Sequence, residues 1–266
     1  MNVLILKLVL TPVLIGAASL AGQRWGPAVS GWLVSLPLTS GPVAFFLALD
    51  HGAAFAAAAA AGTLAGTLSQ TAFCLAYRWL ALRSGWLLTL GAGCLAFAAA
   101  TIALQYLTLP LLLLFLIVIA ALALALHLMP GGSHVSSAVA APPPRWDIPA
   151  RMVIATTFVL LLTGVAPALG PRLAGLLAPF PLYAAILAVF AHRLQGPAAA
   201  AGVLRGLLLG LFAFASFFLA LTLLLERASI ALAFAVASVT ALALQAGSLW
   251  LLRQSTRRVA GLHSKT

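Results

Sequence analysis

Acidic side chains are nearly absent: Asp50, Asp147 and Glu226 are the only three in 266 residues. None falls in the middle of an apolar run. This argues against proton or sodium coupling through a buried carboxylate, and against a cationic substrate. Charge of either sign is scarce, at 6% of residues, where a soluble domain carries about a quarter. Water is therefore not the main solvent of this chain. Cysteine is rare as well. Cys74 and Cys94 both lie inside apolar runs, where they read as packing residues rather than a disulfide or metal pair. An enzyme acting on lipid within the membrane would need acid–base or nucleophilic groups at a common depth. Only Asp50-His51 offers such a pair, so no enzymatic activity and no cofactor are expected.

What the chain does contain is apolar. Hydrophobic residues make up 64% of it, and the mean hydropathy is +1.17. A membrane helix needs roughly 20 apolar residues, which leaves room for about eight to ten. Apolar runs punctuated by charge, Gly and Pro predict nine spans: 3–22, 28–49, 53–77, 86–104, 107–128, 150–169, 172–191, 197–225 and 229–252. Residues 129–149, rich in Gly, Ser and Pro, form the one long polar connection and read as a flexible linker. His127 and His134 beside it do not make a metal site, because two histidines in a mobile loop seldom do. The opening stretch ends in small residues like a signal peptide. It lacks a basic region ahead of its apolar run, and is expected to stay as a helix.

The basic residues suggest an orientation. Arg24, Arg78, Arg83, Arg145, Arg151, Arg193, Arg253, Arg257, Arg258 and Lys265 fall on one side of a nine-span arrangement. Arg172 and Arg227 fall on the other, with Lys7 near it. Positive residues stay cytoplasmic during insertion. A bacterial inner-membrane protein with its N-terminus outside and a basic cytoplasmic tail (254–266) is expected. The net charge of +11 is thus explained by the membrane, not by nucleic acid.

Sliding the sequence against itself by 144 residues aligns Gly26-Pro27 with Gly170-Pro171, Gly31 with Gly175, and Pro37-Leu38 with Pro181-Leu182. Gly52 meets Gly196, Gly62 meets Gly206, Gly66 meets Gly210, Arg83 meets Arg227, and Lys7 meets Arg151. Glycine and proline are placed for backbone reasons, so their alignment carries weight. Spans one to four (within 1–128) then correspond to spans six to nine (150–253). The extra fifth span inverts the second half relative to the first. Inverted repeats recur in secondary transporters, where two similar halves rock about a shared site. A duplication can also simply build a stable bundle.

Candidate site residues cluster in the second and seventh spans. Pro37 and Pro181 each lie about ten residues into a span, near mid-depth at ~1.5 Å per residue. Gly41 and Pro42 deepen the first break, and Pro179 the second. Freed backbone groups are tolerated there only inside protein or beside a water-filled cavity. The half-helices beginning at these prolines would aim positive N-terminal ends at an anionic or strongly polar group. Thr39, Ser40 and Tyr183 would add hydroxyls, and Gln70 is a polar residue needing a partner in an apolar span. Arg205 is the one further candidate, although residues 206–225 alone could span and leave it snorkelling at the cytoplasmic face. The alternative for the prolines is a pair of packing kinks filled by neighbours. Gly62-x-x-x-Gly66 and Gly206-x-x-x-Gly210 read as packing faces that join the two halves, or two copies of the chain.

The run AGLLAPFPLYAAILAVFAHRLQG, within Gly170–Gly196, resembles the GlpM family of small bacterial inner-membrane proteins. The likeness covers roughly 151–252, with an echo in 7–108 that lacks a Phe before Pro37. It implies two such units fused, and carries no substrate or catalytic residue across. The expectation is thus an all-α membrane transporter for a small neutral or anionic substrate, a metabolite or a lipid-linked headgroup. A non-transporting subunit of an envelope polysaccharide or lipid assembly complex is the alternative.

Overall fold

A computed structural model describes residues 3–25, 36–129 and 147–263. The first part of the predicted second span, and the linker with His134 and Arg145, lie outside these residues. The described chain is all-helical, without a strand. Its helices are α1 Val3–Trp25, α2 Ser40–His51, α3 Ala53–Ala81, α4 Trp86–Gln105, α5 Leu111–Leu128, α6 Asp147–Leu177, α7 Leu182–Gln195, α8 Pro197–Leu224 and α9 Ile230–His263. Helix α6 is interrupted at Gly170 (φ 75°, ψ 163°), which separates 147–169 from 171–177. The predicted seventh span is therefore itself broken, into 171–177 and α7.

Among the described residues, five helices are long and apolar enough to cross a membrane: α4, α5, α6, α8 and the Ile230–Gly247 part of α9. The surface agrees with lipid as the solvent. Leu88, Leu95 and Ile102 of α4 and Leu112 and Leu116 of α5 are exposed, while Thr63, Ser69, Gln70, Thr89 and Thr101 are buried. A water-soluble protein distributes these residue types the other way round.

Helix α3 has 29 residues but is rich in Ala, Gly, Thr and Ser and is not among those five. Its position supplies the reason. It packs against α2, α4, α5, α6 and α8, so protein rather than lipid surrounds it. Thr63, Thr67 and Thr71 donate to the carbonyls of Ala59, Thr63 and Thr67, one turn back. Thr101 of α4 donates to Ser69 Oγ at 2.9 Å. Hydroxyls satisfied in this way can sit at depth without water.

Glycine sets the closest helix contacts. A Cβ on Gly62 would stand 2.6 Å from the Arg172 carbonyl oxygen, and one on Gly66 would stand 2.7 Å from that of Leu176. Gly62 and Gly66 thus form a face against which 171–177 lies backbone to backbone. Gly206 differs, since a Cβ there would meet nothing within 4 Å.

Backbone features recur at the 144-residue spacing. Gly52 (φ 85°) and Gly196 (φ 90°) both end a helix in the left-handed region, where glycine carries no Cβ penalty. Their N–H groups donate to Ala48 and His192. Leu38 donates to Leu36 as Leu182 does to Phe180, and Gly41 to Pro37 as Ala185 does to Pro181. At the following turn Arg83 donates to Leu80, and Arg227 to Leu224.

Helices α1 and α6 run antiparallel. Gly16 approaches the Met152 sulfur, while Lys7 Nζ lies 3.1 Å from Thr163 Oγ1. Lys7 also pairs with Asp50 Oδ2 at 2.6 Å and lies over the Phe46 ring, 5.5 Å from its centroid. Asp50, at the end of α2, is one half of a part-buried ion pair tying α1 to α2. Breaking such a pair leaves a lone charge. Lys7→Met should lower stability by about 2 kcal/mol, and adding Asp50→Leu should restore most of it. Thermal unfolding of both variants in detergent tests this; equal loss in each would mean that the pair contributes nothing.

Candidate functional site

The prolines start helices rather than merely bending them. Helix α2 begins at Ser40 after Pro37, and α7 begins at Leu182 after Pro181. In the first turn of α2, Gly41 and Val43 donate to the Pro37 and Thr39 carbonyls and Pro42 has no N–H, which leaves that of Ser40. In α7, Leu182 and Ala185 donate to Phe180 and Pro181, which leaves those of Tyr183 and Ala184. No side chain caps either end. The two breaks lie against each other. Ser40 Oγ donates to the Ala178 carbonyl at 2.8 Å, so a hydroxyl from the first half satisfies a carbonyl at the break in the second.

Between the breaks is a cavity of about 40 Å³. Thr39, Ser40 and Gln70 form its polar wall, and Pro179, Phe180, Pro181, Leu207, Leu211 and Phe214 the rest, with Leu36 and Ala184. A water requires roughly 10–15 Å³ measured in this way, so the space holds about three. Gln70 is 5% exposed, and its Oε1 accepts no hydrogen bond among the described residues. A buried amide oxygen left without a partner costs about 1–3 kcal/mol. The lining also follows the repeat, because Leu36 and Phe180, Ser40 and Ala184, and Gln70 and Phe214 stand 144 positions apart.

A second, larger space of about 340 Å³ lies across the first break. Pro37, Gly41 and Pro42 border it, with Leu10, Phe45, Phe217, Phe234 and Ala241. At the equivalent positions of the second half, Phe97 packs edge-on against Phe180, 5.2 Å between ring centroids, whereas the first half holds Ala241 and Leu36 there.

Compared with protein-family models, curated proteins and solved structures, the chain finds no match.

The ten candidate residues divide by place. Thr39, Ser40, Gln70, Pro179 and Pro181 line the small cavity. Pro37, Gly41 and Pro42 border the larger space. The Tyr183 side chain lies outside the described residues. Arg205 lies elsewhere: its guanidinium donates to the carbonyls of Leu126, at 3.0 Å, and Met129, where α5 ends. Arg172 does the same for α4, donating to Leu104 at 2.9 Å and to Leu107. Both arginines satisfy carbonyls that a helix C-terminus leaves open. Sequence reasoning missed Phe180, Phe214 and the Phe97–Ala241 difference. The repeat register could have found them, because each sits opposite a residue of another type. Among the described residues no group of His, Cys, Asp or Glu could hold a metal ion.

Proposed function

We propose that this protein is a transporter of the bacterial inner membrane, built from two inverted repeats and working by alternating access at the cavity between α2 and α7. In this reading each broken helix counts as one span, giving nine, with α5 as the linking helix that reverses the second half. The N-terminus is outside and the C-terminus is cytoplasmic. Two fused units resembling the GlpM family fit this arrangement. The antiparallel packing of α1 against its repeat counterpart in α6 supports the inversion, and the recurring backbone hydrogen bonds support the repeat.

The observation that carries transport is the cavity itself. Two helix starts, two hydroxyls and an unpartnered amide converge on a space that side chains leave unfilled. A packing kink has no use for an orphaned glutamine. The open groove at Ala241, where the equivalent Phe97 packs on Phe180, is an asymmetry of the kind expected of a molecule caught on one side of a rocking cycle. A scaffold subunit of an envelope assembly complex would need neither feature.

Two measurements test the reading. Reporters active only in the periplasm should work at residue 1, and those active only in the cytoplasm after Thr266; the reverse at either end removes the inversion. Purified protein in liposomes should speed the entry of at least one small polar solute over protein-free vesicles. Vesicles indistinguishable from empty ones for every solute would leave the scaffold reading standing.

A further inference from the structure

Resting on the transport reading, the hydrogen-bond inventory of the cavity narrows the substrate beyond a neutral or anionic solute. The Ser40 hydroxyl has one proton, and it is committed to the Ala178 carbonyl. Its oxygen is left to the cavity as an acceptor only. Gln70 is buried and lines the same space, with its Oε1 unpaired. No Lys, Arg, His, Asp or Glu is among the lining residues. An anion here would meet only neutral donors, the Thr39 hydroxyl and the Gln70 amide, and no countercharge among the lining residues, and an isolated charge is costly to bury. The backbone N–H groups left over at the two helix starts are those of Ser40 in α2 and of Tyr183 and Ala184 in α7, which suit a carbonyl oxygen without requiring a formal charge.

We propose that the cavity takes a small uncharged solute carrying a carbonyl and at least two N–H groups, a primary amide or urea in type. The ligand carbonyl would face the helix starts, one N–H would reach Ser40 Oγ, and the remaining amide edge would pair with Gln70. A primary amide is complementary to a glutamine amide in both orientations of the glutamine, so the match does not depend on which end is oxygen. Space for about three waters fits molecules of roughly three to five heavy atoms. The apolar wall of Phe180, Leu211 and Phe214 closes the side of the space away from the polar groups.

The experiment is stopped-flow light scattering of proteoliposomes challenged with urea, acetamide, sodium formate or sodium nitrate. Urea or acetamide should enter faster than in protein-free vesicles, while formate and nitrate should not. Gln70→Leu should cut the protein-dependent amide flux about tenfold, the loss expected for one or two hydrogen bonds. Where that variant does not give a monodisperse, helical protein, Ser40→Ala is measured instead and should lower the flux about fivefold. Flux of formate or nitrate with amides excluded overturns this inference but not transport. Amide flux unaffected by the substitution overturns the placement of the solute at Gln70 and Ser40. No flux of any solute overturns transport together with this inference.

Discussion

Gly175→Val is expected to prevent stable folding, giving a protein that aggregates on extraction or unfolds well below the parent's temperature. A Cβ at Gly175 would lie 2.0 Å from the carbonyl oxygen of Ala59 and 2.9 Å from its carbonyl carbon. Those are backbone atoms of the central helix α3 and cannot rotate away. Either 171–177 lifts off α3, or α3 bends. Lifting would also pull Ala178 from Ser40 Oγ and open the break of the second half. Overpacking ordinarily costs 1–3 kcal/mol when side chains can adjust; against a fixed backbone the cost should exceed ~3 kcal/mol. Gly206→Ala is the control. A Cβ there meets nothing within 4 Å, and alanine is the better helix former, so that variant should be as stable as the parent or more so. Thermal unfolding of the two in the same detergent decides the matter. Equal behaviour would mean that the close approach of 171–177 to α3 does not hold the halves together.

The second large effect is functional. Ala241→Phe should abolish transport while leaving the protein folded. It restores at position 241 the aromatic found at the equivalent Phe97, which packs edge-on against Phe180 in the second half. The space at Ala241 is already present, at about 340 Å³, so the ring can enter without displacing backbone. Filling a void of this kind adds dispersion contacts and does not remove any. The folded state should therefore be unharmed, with thermal unfolding unchanged or raised. The first break would then be held as the second one is. If the two halves must exchange open and filled states, a molecule filled on both sides cannot complete the cycle. Flux equal to that of the parent in a stable Ala241→Phe protein would show that the groove has no part in the route.

Why part of this was legible in sequence can be traced to particular residues. Proline and glycine report backbone needs directly. Pro37 and Pro181 therefore marked the helix breaks, while Gly52 and Gly196 stood out only as aligned glycines and their positive φ comes from the structure. The 144-residue register found in sequence is the spacing at which backbone hydrogen bonds recur. Leu and Ala report only the solvent, so they gave the membrane without saying which face of α4 meets lipid. Charge was misleading where the partner was distant in sequence. Asp50 gave no sign of its partner because Lys7 lies 43 positions away, and Arg205 resembled a site residue because the carbonyls at the end of α5 that it satisfies are 76 and 79 positions away.

The sequence by itself determined that the chain is helical, that apolar solvent surrounds it, and that two spans break at proline, since each of these follows from local composition and backbone chemistry. The tertiary structure alone decided that the breaks meet, that Ser40 spends its proton on Ala178, that Gln70 Oε1 is left unpaired beside them, and that a groove opens at Ala241 where the equivalent Phe97 packs on Phe180. Those facts depend on which side chain from a distant helix arrives at a given point. In a chain so rich in Leu and Ala, almost every local stretch offers the same apolar surface, and only three-dimensional packing selects the partner.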